Sequence, residues 1–465
     1  MLYPMYVISV VDLCTLQRTL SHQELKAQGR LVVVGPEHTG GIVFVSHQWL
    51  GWHSPDPDSE QLHALQHVLR NWMEDSSSSS ILTEGSDQLT NAAADLIGHI
   101  SHMYIWMDWI SMPKSCADDP NASADLTNAV NSIPAYIESS RAMLVLATPC
   151  QHTDSGLVCN YSTWRKRGWC RMELFGAVLA RHNLPVIVVH GVESSPVFIW
   201  RWEAWFLRAG KGNFTCCAKG HDFGYGPVPC DKIVVGRVIE TMLDAKAQAY
   251  YLDGDLLSAR YWAMMQPFFM QGLPRTPTAP ASAAPQPPGD ALDTALARLK
   301  RAIFFGRDEA EETRWTEATG ITLLHAAVLT MDLAATRELL ATPAGRADMH
   351  RPITARTDGP GMFNLSGITP WGLCSPQPEW ATIETLLNAG ANPWHRDLGN
   401  LGNTTFGSIC PSAGIEPTAL AILPPCYTAA LPALLLPSCY PLACPLATLL
   451  LPSCSLLPLP LPVLA

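Results

Sequence analysis

The sequence has no excess of basic residues. Its 465 residues include 30 lysines and arginines against 41 aspartates and glutamates, which gives a formal net charge of −11 and an isoelectric point near 5.7. Proteins that bind nucleic acid or an anionic membrane surface through their overall charge carry a positive excess instead. We therefore expect no nucleic acid and no membrane surface among the partners of this protein.

Two features of a secretory signal peptide are also missing from the N-terminus. Residues 1–12 are apolar, but no basic leader precedes them and no small-residue cleavage site follows. The fourteen cysteines have none of the regular spacing found in small disulfide-stapled domains. These absences predict a cytoplasmic protein with reduced thiols.

No Cys-x-x-Cys pair occurs in the densest group of potential metal ligands, which consists of Cys216, Cys217, His221 and Cys230. Structural zinc sites commonly use such pairs at a regular spacing. Because core cysteines and turn histidines are commoner than metal ligands, we predict neither a metal site nor a bound cofactor.

The chain length allows two or three domains, at roughly 100 to 200 residues each. Over residues 1–270, short apolar runs alternate with segments of helical periodicity. The runs predict strands at 42–46, 104–110, 142–147 and 185–190, and the segments predict helices at 59–74, 91–101, 124–140 and 168–182. This rhythm favours an α/β fold with a mainly parallel sheet and helices on both faces. Five serines at 76–80 indicate a surface insertion, and residues 191–270 indicate a cap on the sheet.

Three further regions follow this α/β domain. Residues 271–289 are rich in proline and alanine and predict an extended linker. Residues 290–412 form a second predicted domain, and residues 413–465 form an apolar tail rich in proline, leucine and cysteine. The recurrent prolines argue against an ordinary membrane-spanning helix in this tail. The tail is then membrane-associated, disordered or not a genuine part of the protein.

The second domain contains a repeated pattern. The segment Gly320-Ile-Thr-Leu-Leu-His-Ala-Ala327 returns as Gly367-Ile-Thr-Pro-Trp-Gly-Leu-Cys374, each copy is followed by a leucine-rich helical segment, and a third start is visible at Gly402. The pattern resembles ankyrin repeats, which open on a turn and a helix of this kind. The resemblance implies that residues 290–412 bind a protein partner. So short a stack must lean on another part of the chain, because each repeat buries its apolar face only against neighbours.

One carboxylate stands out in the predicted helix at 168–182. Glu173 lies among Trp169, Cys170, Leu174 and Phe175, and a charge buried there without a partner would be costly. It either faces solvent, lines a cleft, interacts with the helix dipole, or pairs with an arginine such as Arg171 or Arg141. Of these alternatives, only a position in a cleft predicts a catalytic or binding role for Glu173.

Four segments along the first domain resemble the superfamily that joins Toll/interleukin-receptor (TIR) domains and fungal heterokaryon-incompatibility (HET) domains. They are Phe44-Val-Ser-His-Gln-Trp49, Trp106-Met-Asp-Trp-Ile-Ser-Met-Pro113, the helix and strand that surround Ser140-Arg141, and Trp169-Cys-Arg-Met-Glu-Leu174. The segments occur in the family's order and span residues 40–190. The resemblance implies a flavodoxin-like sheet.

In catalytic TIR domains the glutamate of the last segment is essential for cleaving NAD between nicotinamide and ribose. The resemblance therefore implies that Glu173 is catalytic and that NAD is a substrate rather than a cofactor. The candidate substrate-binding residues, most of them expected at the carboxyl ends of strands, are Ser46, His47, Trp49, Asp108, Trp109 and Trp169.

Simpler structural roles remain open for several of these residues. Asp108 also suits a helix or turn cap, and His47 suits a hydrogen-bonded histidine at the edge of the core. The basic run 165–167 suits a solvated approach to a helix. In addition, no glycine-rich phosphate loop follows the first predicted strand, so the main signature of a dinucleotide-binding Rossmann domain is missing.

Two functions remain at this point. In one, the repeats bind a protein in a signalling or defence pathway, and the α/β domain self-associates and hydrolyses NAD. In the other, the chain is a scaffold without enzymatic activity, since many TIR and HET domains signal only by self-association.

Overall fold

The computed structural model describes residues 1–74, 87–114, 121–182, 184–199, 203–222, 226–274, 294–305, 309–357, 362, 364–374 and 380–392. The serines at 76–80, nearly all of the predicted linker, the third repeat start near Gly402 and the predicted tail lie outside these ranges. The described residues all belong to one compact unit, Met1–Phe406. Within them, none of the helices combines the length and the apolar character needed to cross a membrane.

A mixed seven-stranded sheet forms the centre of the first half of the chain. The described strands are β1 (Tyr6–Ser9), β2 (Val32–Val33), β3 (Ile42–His47), β4 (Tyr104–Met107), β5 (Ala142–Leu146), β6 (Cys150–Gln151), β7 (Val158–Cys159), β8 (Val186–Val189) and β9 (Val197–Phe198). Their order in the sheet is β2-β1-β4-β3-β5-β8-β9, while β6 and β7 form a separate two-stranded ribbon. The four central strands, β4-β3-β5-β8, are parallel.

The helices of the first half surround this sheet. They are α1 (Val10–Leu13), α2 (His22–Ala27), α3 (Glu60–Glu74), α4 (Asp87–His99), α5 (Asp108–Ser111), α6 (Ala122–Glu138), α7 (Tyr161–Trp164), α8 (Gly168–Leu179), α9 (Glu203–Phe206), α10 (Thr215–Ala218), α11 (Asp231–Leu252) and α12 (Leu256–Phe269). Those of the second half are α13 (Ala295–Ala302), α14 (Glu309–Thr319), α15 (Leu323–Leu329), α16 (Leu333–Leu340), α17 (Pro343–Ala347) and α18 (Trp380–Asn388).

The predicted α/β fold is confirmed, but the sheet is less uniformly parallel than the sequence indicates. All four predicted strands are present and form its parallel centre. Its edges are antiparallel, because β1 and β2 are added beside β4 and β9 is added beside β8. These edge strands are two to four residues long, too short for a recognisable pattern. The strand predicted at 104–110 stops at Met107, since Asp108 begins α5.

Side chains of β3 alternate between the two faces of the sheet. Val43 and Val45 belong to a core cluster that includes Leu62 and Leu65 of α3. Phe44 points to the other face, where its ring stacks on Trp106 at a centroid distance of 4.3 Å, and Trp106 in turn contacts Tyr136 of α6. Helices therefore cover both faces, as predicted. Because side chains alternate, Ser46 and His47 at the end of β3 also project to opposite faces.

The two copies of the repeated segment have the same local geometry. Gly320 and Gly367 both have positive φ angles, of 71° and 81°, which favour glycine. Two residues later, Thr322 Oγ1 accepts from the backbone N–H of His325 at 3.4 Å, and Thr369 Oγ1 accepts from that of Gly372 at 3.0 Å. The threonine in each copy therefore caps the helical turn that follows it.

The described helices after the two copies also pack side by side. Helix α15 contacts the 3-10 turn Gly372–Cys374 of the second copy, and α16 contacts α18. Helix α15 also packs against α12 of the α/β part of the chain. Helices of the second half thus pack against the first half of the chain.

Candidate functional site

The candidate site lies where the order of the parallel strands reverses. Strand β3 precedes both of its neighbours in the sequence, so the connections to β4 and β5 lead to opposite sides of it. In open α/β sheets, ligands bind at the carboxyl ends of the strands at such a switch point. Ser46 and His47 end β3, and Asp108 immediately follows β4.

The side chain of Glu173 reaches this point from α8. Ser46 donates a hydrogen bond from its hydroxyl to Glu173 Oε2 at 2.5 Å, and the same hydroxyl accepts from the indole N–H of Trp164 at 3.1 Å. Ser46 and Trp164 are fully buried. The structure thus brings together the first and last of the four segments that were singled out in the sequence.

Close backbone packing fixes the start of α8. A β-carbon on Gly168 would come within 2.0 Å of the ring of Phe214, and one on Gly212 would come within 2.7 Å of the backbone of Gly168. The N–H of Gly168 donates to the carbonyl of Asn213 at 2.9 Å. Only glycine allows this approach, which explains the glycine at the head of the Gly-Trp-Cys-x-x-Glu motif.

A buried lysine holds the other end of α8. Lys246 of α11 donates from Nζ to the carbonyls of Leu179 at 2.9 Å and Ala180 at 3.2 Å. These carbonyls are otherwise without partners inside the helix, and a cation there also complements the helix dipole. Both ends of the helix that carries Glu173 are therefore anchored.

Glu173 forms no ion pair with any of the described residues. Arg171 instead donates to the carbonyls of Arg165 and Arg208, and Arg141 pairs with Asp95 at 2.9 Å. Glu173 is also the sixth residue of α8, beyond the first turn where the helix dipole acts. Pairing with Arg171 or Arg141 and interaction with the dipole are therefore both wrong as explanations of this residue.

Burial raises the pKa of Glu173 to about 8, and the nearby Asp108 adds to the rise, against opposing effects of the Ser46 hydrogen bond and the His47 charge. The side chain is half-buried. Near neutral pH the carboxyl group is therefore mostly protonated. Bringing a positive charge next to it would favour the ionised form.

On the other face of the sheet, the hydrogen bonds around His47 determine its protonation state. Gln61 Nε2 donates to the carbonyl of Gln48 at 2.8 Å, which fixes the orientation of the amide. Gln61 Oε1 then faces His47 Nδ1 at 2.6 Å, and Asp108 Oδ1 faces His47 Nε2 at 2.9 Å. Because both neighbours are acceptors, both ring nitrogens must carry a proton. His47 is therefore an imidazolium.

The electrostatics of the pair agree with this assignment. Burial alone would lower the pKa of His47, but the Asp108 carboxylate and the hydrogen bonds to Asp108 and Gln61 raise it to about 9. Burial alone would raise the pKa of Asp108, but His47 and the hydrogen bonds it accepts hold it below its usual value. The side chain of His47 is 2% exposed and that of Asp108 is 29% exposed. Asp108 is therefore partly exposed to solvent, whereas His47 is buried beneath it.

The tryptophans predicted to bind substrate have different surroundings. The indole of Trp49 donates to Asp108 Oδ2 at 2.8 Å, and its ring meets that of Trp109 edge to face at 5.6 Å. The ammonium group of Lys114 lies 2.8 Å from the ring centroid of Trp109. Trp169, one turn before Glu173, donates its single N–H to Asp231 of α11 at 3.0 Å. Trp49 and Trp109 thus cluster around Asp108, whereas the indole of Trp169 bonds to α11 instead.

Two residues that position the site were missed in the sequence. Gln61 is 1% exposed and orients His47, and its only signal was a polar residue on the buried face of a predicted helix. Trp164 binds Ser46, and its four-residue helix α7 was too short to give a pattern. The basic run 165–167 is visible in the sequence, but its partners are not. Arg165 pairs with Glu203 at 2.9 Å, and Arg167 donates to Thr215 at 2.7 Å.

The group therefore combines three kinds of chemistry. Glu173 offers an acid whose ionisation responds to a nearby cation, Asp108 offers a fixed negative charge that meets solvent, and the rings of Trp49 and Trp109 offer aromatic surface. Such a set suits a cationic aromatic ligand better than an anionic one.

Among known proteins, the chain matches no protein family, no curated protein and no solved structure.

Proposed function

We propose that the α/β part of this chain hydrolyses NAD at the bond between nicotinamide and ribose, with Glu173 as the catalytic carboxylate. The observation that supports this most directly is the position of Glu173, which is bonded to Ser46 at a strand switch point and forms no ion pair with any described residue. The strand order and the four segments also support a flavodoxin-like fold of the TIR/HET type.

The nicotinamide ring of NAD carries a positive charge on the nitrogen that is bonded to ribose. Placed beside Glu173, this charge would favour ionisation of the carboxyl group, since an opposite charge lowers the pKa of an acid. The bond between ribose C1 and the nicotinamide nitrogen then breaks, and its electron pair leaves with the neutral ring. The positive charge that develops on the ribose is stabilised by the carboxylate until water adds to C1 and gives up a proton.

The remaining residues have supporting roles in this proposal. Ser46 orients Glu173 and lowers its pKa through the hydrogen bond. His47 has both ring nitrogens occupied, so it positions Asp108 instead of contacting the substrate. Trp49 and Trp109 stack on the substrate, and Asp108 contacts its polar groups.

The activity test is nicotinamide release from NAD by the full-length chain, measured by chromatography at low and high protein concentration and with a crowding agent. We expect Glu173→Gln to lower the rate by about 100-fold or more, because one group that stabilises transition-state charge contributes about that much. The matched control is Glu193→Gln, the same change at an exposed carboxylate, which should retain full activity. Absence of release by the wild-type chain under all these conditions, or equal activity of Glu173→Gln, would contradict the proposal.

The pH profile provides a second check. With a pKa of about 8, roughly one tenth of Glu173 is ionised at pH 7, so kcat/KM should rise with pH until about 8. Ser46→Ala removes a hydrogen bond that lowers this pKa, so the rising limb should move to higher pH. A profile that falls between pH 7 and 8 would exclude Glu173 as the ionised catalyst.

For the whole chain, we propose a cytoplasmic signalling or defence protein in which ankyrin-like repeats bind a protein partner and the α/β part self-associates. The interpretation as repeats is supported by the positive φ angle of the glycine and the capping hydrogen bond of the threonine, which both copies share. The alternative is a scaffold without enzymatic activity, which the same geometry supports equally. Wild-type protein that self-associates but releases no nicotinamide would favour the scaffold.

A further inference from the structure

Three cysteine thiols converge at a junction outside the candidate site. Cys216 and Cys217 lie on the short helix α10, and Cys230 directly precedes α11. The sulfur atoms of Cys216 and Cys217 are 3.9 Å apart, those of Cys217 and Cys230 are 3.6 Å apart, and all three lie within 4.8 Å of one another. Residues that are thirteen positions apart in the sequence therefore meet at a single point.

The sulfur separations match those of a tetrahedral metal site. Zinc binds thiolate sulfur at about 2.3 Å, which places two sulfur ligands of a tetrahedron about 3.8 Å apart. The sulfur–sulfur distances of 3.6 and 3.9 Å lie on either side of this value. The sulfur atoms are thus already close to the spacing that metal ligands adopt. Hydrogen bonds between thiols are weak and do not by themselves account for this close approach.

Two local features would stabilise a thiolate once a metal ion has displaced its proton, whereas, without a metal, burial raises the pKa of Cys216 to about 12 and that of Cys217 above its usual value. The backbone N–H of Asp231 donates to the sulfur of Cys216 at 3.4 Å. Cys230 is the N-cap of α11, a helix of 22 residues, whose N-terminal end carries a partial positive charge. Thiolate ligands of a metal would be stabilised by both features.

We propose that Cys216, Cys217 and Cys230 bind one Zn²⁺ ion. Three thiolates supply three of the four positions that zinc prefers, and these soft ligands favour zinc over magnesium or calcium. Cys217 is exposed, so solvent water is available to complete the fourth position. This differs from the expectation drawn from the sequence, which lacks a Cys-x-x-Cys pair there.

Such an ion would tie α10 to the start of α11. Asp231, the first residue of α11, accepts the hydrogen bond of Trp169, which lies one turn before Glu173 on α8. Phe214, just before α10, packs on Gly168 at the start of α8. The zinc site would therefore stabilise the junction that supports the first turn of α8.

Zinc content per chain tests the proposal. The full-length protein is prepared under reducing conditions, stripped with a chelator, exposed to Zn²⁺ and dialysed, and its metal is then measured. Cys217→Ser and Cys230→Ser are compared with Cys14→Ser, which removes a half-buried thiol elsewhere and keeps the number of cysteines equal. Any zinc that the other cysteines bind is common to all variants, so it does not affect the difference between them.

We expect the wild type and Cys14→Ser to hold one more zinc ion per chain than Cys217→Ser and Cys230→Ser. Zinc should also raise the melting temperature of the first two proteins and leave the last two unchanged. Co²⁺ in place of zinc should produce a thiolate charge-transfer band that is absent from Cys217→Ser. Because Cys217 is exposed, its substitution should leave the fold intact, which circular dichroism checks. Equal zinc content in all four proteins would overturn the proposal.

Discussion

Charged side chains are buried both at the carboxyl ends of β3 and β4 and where α12 meets the second half of the chain, but they are stabilised differently. At the second place the guanidinium of Arg260, 1% exposed, forms an ion pair with Glu311. It also lies 3.7 Å from the ring centroid of Phe305 and 4.5 Å from that of Trp315. Glu173 at the candidate site is hydrogen-bonded to a serine and forms no ion pair with any described residue.

The difference separates a structural charge from one that is available for chemistry. Arginine keeps its charge at all ordinary pH values, so the Arg260 contacts hold two parts of the fold together permanently. Glu173 and His47 have pKa values of about 8 and about 9, so their charges change in the range where proteins work. Perturbed acids in a recess, unlike matched ion pairs, are typical of functional sites. Substitutions at the two places should therefore have different effects.

The largest effect is expected at Arg260. Arg260→Ala removes the guanidinium group from its ion pair with Glu311 and from two aromatic rings, so the free energy of unfolding should fall by about 3–5 kcal/mol. Denaturant unfolding measures this loss. Arg181→Ala is the control, because Arg181 is 85% exposed in its pair with Glu138 and such pairs contribute about 1 kcal/mol or less. Equal losses for the two variants would mean that Arg260 does not hold the parts together.

A smaller effect is expected at Lys246, whose partners are backbone carbonyls. Lys246→Met keeps most of the apolar stem but leaves the carbonyls of Leu179 and Ala180 without their donor. We expect a loss of about 1.5–3 kcal/mol, as for hydrogen bonds to charged groups. Hydrogen exchange should show the loss most strongly at the C-terminal end of α8. Lys232→Met, near the start of the same helix α11, is the control, and a comparable loss there would argue against a capping role for Lys246.

The sequence predicted the central strands and the residues at their ends better than it predicted the side-chain contacts of the candidate site. Continuous apolar runs identify β3, β4, β5 and β8 because a buried parallel strand has no polar face. The placement of Ser46 and Asp108 at strand ends follows from these runs. That Glu173 would bind Ser46 was not predictable, since it depends on how α8 packs across the sheet.

Other parts could not be read from local pattern. The edge strands β1, β2 and β9 are short, so they carry too few residues for alternation to show. The sequence places His47 among the candidate substrate-binding residues, yet Gln61 and Asp108 occupy both of its ring nitrogens. Cys216, Cys217 and Cys230 form a dense group in the sequence but lack the spacing of zinc ligands, because Cys216 and Cys217 are adjacent and Cys230 precedes the next helix. In each case the information lies in tertiary packing.

Stability should depend on pH through the candidate site and not through Arg260. Folding raises the pKa of Glu173 from its ordinary 4.5 to about 8 and that of His47 from 6.5 to about 9. For both groups the folded chain binds protons more tightly, so their contribution is present at low pH and is lost as pH rises through the folded pKa. Each group can lower the free energy of unfolding by at most about 1.4 kcal/mol per pH unit in its own window.

Glu173→Gln tests the larger window, because glutamine is neutral at every pH and still accepts from Ser46. Between about pH 5.5 and about pH 8, the unfolding free energy of this variant should fall less steeply than that of the wild type, by about 1 kcal/mol per pH unit. Denaturant unfolding at several pH values measures the slopes. Arg260→Ala should be less stable throughout but keep the wild-type slope. Parallel slopes for the wild type and Glu173→Gln would mean that Glu173 does not titrate in this range.

The smallest change is expected within the His47–Asp108 pair. Asp108→Asn keeps the shape of the side chain but removes the charge that, after burial, affects the pKa of His47 most. Burial should then dominate, so the pKa of His47 should fall from about 9 by more than one unit, which corresponds to about 1.4 kcal/mol. An NMR titration of the imidazole signals, assigned with His47→Gln, measures the shift. Asp58→Asn, at an exposed aspartate, should leave the titration unchanged. If the pKa of His47 stayed near 9 without the carboxylate, then Gln61 and the surrounding backbone, rather than a matched charge like that of Glu311 beside Arg260, would be holding the imidazolium.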